Sequence, residues 1–86
     1  MDFSLVIPDD LVKCFKKLAK RDKKQLEAVN KKIQQILADP YHFKPLRGDK
    51  KGSRRVHIDS SFVLIYEIDE KTIKLLDYEH HDAVYE

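Results

Sequence analysis

With 86 residues, 37% charged and 42% hydrophobic, the chain is read as one small domain over 1–86 with a thin core. Cys14, the single cysteine, excludes an internal disulfide; no apolar run is long enough for a bilayer, and no signal segment opens the chain, so a cytoplasmic location is expected. The net charge of +2 conceals an asymmetry: residues 1–57 hold eleven lysines and four arginines against seven acids, a balance of +8, and residues 58–86 carry −6. A basic part of this size can track phosphates, although lysine-rich helix faces are more often simply solvated.

Phe3 to Ile7 is a short apolar run closed by Pro8, which predicts an edge strand. Asp9 and Asp10 suit a helix cap and first turn, and Leu11, Val12, Phe15, Leu18 and Ala19 then recur on one helical face. Asp22 with Gln25 three residues on makes a capping-box pattern for a second helix, whose apolar face is Leu26, Val29, Ile33, Ile36 and Leu37. Lys31 and Lys32 are expected to point mostly away, and the helix stops at Asp39 before Pro40. The short connection between the two helices predicts an antiparallel helical hairpin that needs a sheet to cover its stripe.

Tyr41 to Gly52 reads as a basic loop containing both glycines, with Lys44, Arg47, Lys50, Lys51 and His42 as its cationic groups. Tyr41 and Phe43 are expected to anchor it. Arg54 to Ile58 and Phe62 to Ile68 form a strand pair joined at Asp59-Ser60-Ser61. In the second strand Phe62, Leu64, Tyr66 and Ile68 share one face, and Val63, Ile65 and Glu67 the other. This strand is nearly apolar throughout, so it belongs in the sheet's middle. Thr72 to Tyr78 is a further strand, with Ile73, Leu75 and Asp77 on one side and Lys74, Leu76 and Tyr78 on the other. The expected fold is α+β: an N-terminal strand, a helical hairpin and a three-stranded antiparallel meander, in one sheet with the helices on one face.

Helices on one face leave the other open. There Arg55 and His57 point the same way, the basic loop with Lys44, Arg47, Lys50 and Lys51 enters beside them, and His81 and Tyr85 can fold back across; Arg54, which shares the other face with Val56 and Ile58, is a further candidate contact to nucleic acid. These groups suit RNA cleavage by its own 2′-hydroxyl. That reaction needs a base for the hydroxyl proton, cations for the charge building on phosphate, and an acid for the leaving oxygen. Histidine can take either proton near neutral pH, and tyrosine can stack on a base. His80, His81 and Asp82 are adjacent but lack a familiar ligand spacing, so no metal or other cofactor is expected. Ser60 and Ser61 sit in a turn without a nucleophile elbow.

Leu46-Arg47-Gly48, Arg54-Arg55-Val56-His57-Ile58, Val63 to Asp69, His81 and Val84-Tyr85, in this order and spacing, resemble the RelE/ParE superfamily of toxins. The resemblance covers nearly the whole chain and is nearest to RelE-type toxins with YafQ-like histidines. It implies a RelE-like fold and a ribosome-dependent endoribonuclease that cuts mRNA in the A site, leaving a 2′,3′-cyclic phosphate. It places His57 as an acid or base and His81 on the leaving oxygen or the phosphate. Tyr85 matches a terminal aromatic that orients a base; Arg47, Lys50 and Lys51 match contacts to RNA. Three positions depart from the YafQ pattern: Lys44 stands for a histidine, Arg55 for an acidic residue and Ser61 for an aspartate. The implied partners are a RelB-like antitoxin, the ribosome and mRNA, with operator DNA reached through the antitoxin. Two alternatives stay open: a ParE-like inhibitor of gyrase without nuclease chemistry, and an RNA-binding module with a degraded site.

Overall fold

The computed structural model describes residues 2–45 and 52–81. Its elements in chain order are β1 (Ser4–Val6), α1 (Asp9–Arg21), α2 (Lys23–Ala38), β2 (Ser53–Ile58), β3 (Phe62–Asp69) and β4 (Thr72–His80). The sheet runs β1-β4-β3-β2, with β1 parallel to β4 and the other neighbours antiparallel. The nearly all-apolar β3 is internal and β1 is an edge, as their patterns predict.

Local chemistry explains the helical hairpin. Pro8, extended at φ −65° and ψ 156°, is the N-cap of α1 in place of either aspartate; Asp9 and Asp10 fall in the first turn, where acids favour the helix dipole. Asp22 serves both helices. Its N–H donates to Leu18 O (2.8 Å), and its carboxylate accepts from Gln25 N (3.1 Å). The predicted capping box is half formed, because the Gln25 side chain instead donates to the Tyr78 hydroxyl. One residue thus turns the chain, so α1 and α2 lie antiparallel on the sheet.

The core lies between hairpin and sheet. Leu11, Val29, Ile33 and Ile36 pack with Val56, Ile58, Leu64, Tyr66, Ile73 and Leu75. The fully buried Tyr66 keeps its polar end satisfied by donating to Pro40 O at 2.6 Å. Phe43 meets the Tyr66 ring edge-on at 6.5 Å and so anchors the loop; Tyr41, expected to do the same, is 59% exposed.

Two expectations about faces are corrected. Strict alternation would put Tyr78 opposite Ile73 and Leu75. Leu76 is instead an extra residue: Tyr66 pairs with Leu75 while Ile65 pairs with Asp77. This bulge shifts the alternation by one. Tyr78 therefore joins the helix side, stacking on Phe62 at 5.1 Å and meeting Phe15 edge-on at 5.5 Å. The face away from the helices is also not bare, because Val63 and Ile65 are both 0% exposed. Register flanks Val63 with His57 and Glu79, and Ile65 with Arg55 and Asp77, so polar groups surround a buried apolar strip.

Candidate active site

His57 owes its position to the alternation of β2. Val56 and Ile58 go into the core, so His57, opposite Val63, projects from the far face. His81 follows the last residue of β4, and its backbone N–H donates to Ser61 O at 2.7 Å. That bond ties the end of β4 to the turn between β2 and β3. The two imidazoles come together with ring centroids 5.3 Å apart and planes inclined by 33°. Residues 24 positions apart thus form one histidine pair at one end of the sheet.

The pair has an electrostatic consequence. The His57 pKa is lowered from 6.5, first by partial burial of the ring and then by the positive charges of His81, Arg55 and Lys32. Neutral imidazole is therefore its favoured form at neutral pH, and that form can accept a proton.

Beside His57 a groove of about 370 Å³ follows the β2 edge. Its polar lining is Lys32, His42, Lys44, Arg55 and His57, and its apolar lining is Phe43 and Val56. The loop is attached to this edge by main-chain pairing: Arg55 N donates to Lys44 O at 3.1 Å, and Pro45 bridges Arg54. Arg55 Nη1 also reaches Pro45 O at 3.5 Å.

The residues expected from sequence divide into three groups. His57 and His81 meet, and Arg55 and Lys44 line the groove beside His57. Arg54 points to the helix side, where Nη1 donates to Phe43 O at 2.7 Å and its guanidinium lies 5.3 Å from the Tyr41 ring centroid. Arg47, Lys50, Lys51 and Tyr85 lie outside the described residues.

Lys32 and His42 were not singled out as site residues. Lys32 had a legible signal: it lies three residues after Val29 and four before Ile36, both fully buried, and so shares their side of α2. It is half-buried where its neighbour Lys31 is exposed.

The helical hairpin laid over a four-stranded mixed sheet matches the fold of RelE-type toxins. The YoeB/ParE toxin from Agrobacterium tumefaciens superposes with a TM-score of 0.83 over 92% of this chain and 99% of that one, at 18% identity. The E. coli DinJ-YafQ toxin-antitoxin complex gives 0.74 over 100% of both chains at 21% identity. The chain belongs to the YafQ family, bacterial toxins of type II toxin-antitoxin systems, whose model matches residues 8–86. A Methanocaldococcus jannaschii protein named "Putative toxin RelE4" is 45% identical over 85 residues, covering 96% of this chain and 90% of its own.

Proposed function

We propose that this toxin is a ribosome-dependent endoribonuclease that cuts mRNA in the A site and thereby stops translation. The observation that carries the reading is the contact between His57 and His81 beside a cationic groove. His57, held neutral, takes the proton of the substrate 2′-hydroxyl. The 2′-oxygen bonds to phosphorus as the bond from phosphorus to the 5′-oxygen breaks. His81 in its protonated form gives its proton to that oxygen, leaving a 2′,3′-cyclic phosphate and a 5′-hydroxyl. Arg55 neutralises charge building on the phosphate, and no step calls for a metal. Tyr85 is assigned to stacking on a base, and Arg47, Lys50 and Lys51 to RNA contacts.

A site with so few groups gains from a partner that orients the substrate, which supports the ribosome in that role. A RelB-like antitoxin is the proposed inhibitor, and operator DNA is reached through it. Support comes from solved relatives that are complexes of this kind, YoeB-YefM from Staphylococcus aureus and DinJ-YafQ from E. coli. The cytoplasm is where such a toxin meets ribosomes. A gyrase inhibitor without chemistry would have no use for paired imidazoles.

The test is mRNA cutting on programmed ribosomes by the parent, His57→Ala and His81→Ala. The proposal expects cutting by the parent and its loss in both variants. Parent-level cutting by both variants would end it.

A further inference from the structure

We propose that the groove along the β2 edge is a second phosphate subsite, in which Lys32 of α2 and His42 of the loop hold the RNA phosphate next to the one being cut. This inference rests on the ribonuclease reading and deepens it.

The lining argues for an anion. Lys32, Lys44, Arg55 and two imidazoles converge from a helix, a loop and a strand, and none of the described lining residues is a carboxylate. A larger groove among the described residues, of about 720 Å³ between α1 and Tyr78, differs: Asp10 and Asp22 stand among its Lys13, Lys17 and Arg21. A surface that only keeps a protein soluble mixes its signs, as that groove does.

Geometry argues for a phosphate on the same strand as the scissile one. His57 lines the groove and also touches His81, so groove and histidine pair share one wall. A chain with its reacting phosphate at the pair can continue directly into the groove. Lys32 suits the second position. It is half-buried, its helix packs against β2, and its charge is felt at the His57 ring. A lysine supplies a point charge on a long stem, which serves a phosphate oxygen without specifying a base.

The experiment compares two RNA oligonucleotides made uncleavable by 2′-deoxy substitution at the cut nucleotide: a dinucleotide with one phosphate and a trinucleotide with two. Binding to the full chain is measured across a salt series. The parent should bind the trinucleotide more tightly than the dinucleotide. Lys32→Gln should weaken trinucleotide binding by about fivefold and lower its salt slope by about 0.7, the value for one phosphate on a single strand, with dinucleotide binding unchanged. His42→Gln should weaken trinucleotide binding in the same selective way. Lys31→Gln, on the exposed side of α2, should match the parent.

The subsite is overturned if the parent gains nothing from the second phosphate, or if Lys32→Gln equals the parent or weakens both ligands alike. Uncut mRNA on ribosomes with the Lys32-dependent gain intact would sink the nuclease reading and leave the subsite standing. Cutting with no such gain would do the reverse.

Discussion

The rings of His57 and His81 lie 5.3 Å apart, and the bond from His81 N to Ser61 O holds the later residue beside the earlier one. Either ring alone on a small sheet would be an ordinary surface histidine. Together they are the two proton-handling groups that the proposed reaction assigns to a single phosphate. His57→Ala or His81→Ala should lower mRNA cutting on ribosomes by about 100-fold or more, the usual scale for general acid or base loss. Neither side chain is part of the apolar core, so denaturant unfolding should change by no more than about 0.5 kcal/mol.

The depressed pKa of His57 fixes the direction of the pH response. The unfolded chain takes up this proton near pH 6.5, and the folded chain takes it up at a lower pH. His57 therefore contributes stability above pH 6.5 that is lost as pH falls through its folded pKa. The acid limb of the cutting profile should also fall below pH 6.5. Replacing Lys32 by Gln removes one of the charges that lower the pKa, so the His57 titration followed by NMR should move up toward 6.5. An unchanged titration would mean that Lys32 is not felt at the ring.

Arg54 separates a structural role from an RNA-binding one. Its Nη1 donates to the Phe43 carbonyl at 2.7 Å, which ties the loop to β2. Arg54→Met should cost about 1.5 kcal/mol, the lower end for a hydrogen bond from a charged donor. Amide exchange over Tyr41 to Lys44 should speed up. If stability holds and the salt dependence of RNA binding falls by one contact, Arg54 belongs to the RNA surface instead.

Tyr66 tests the loop anchor from inside the core. Burial pushes its pKa to about 12, and its hydroxyl donates to Pro40 O at 2.6 Å. Tyr66→Phe leaves that carbonyl without its partner, so a loss of about 1 to 3 kcal/mol is expected in urea unfolding. In alkali the unfolded chain ionises first. The Tyr66 contribution should therefore be lost as pH rises from 10 toward 12, an effect absent from the Phe variant.

The helices, the ends of α2 and the parity of β3 were legible because each depends on neighbours in sequence. Asp22 caps α2 through an amide three residues away, Pro40 closes the helix two residues after Ala38, and alternation alone sends Leu64 inward. The faces of β4 were not legible. The extra residue at Leu76 exists only relative to β3, and it carries Tyr78 to the helix side against strict alternation. The contacts of Arg54 were not legible for a related reason: alternation gives it the face of Val56 and Ile58, but its partners, Phe43 O and Tyr41, lie across a loop whose path no local rule specifies.

The sequence by itself determined which side chains could do chemistry: His57 alternates away from Val56 and Ile58, and the basic charge is concentrated before residue 58. It also marked the family, because the order and spacing of short motifs survive without knowledge of contacts. The tertiary structure decided which of those groups meet. His81 reaches His57 because β4 ends beside the turn after β2, and Lys32 enters the groove because α2 packs over an edge strand. Local periodicity fixes the direction of a side chain from its own backbone. The distance between chains far apart in sequence is set by packing, which no short stretch encodes.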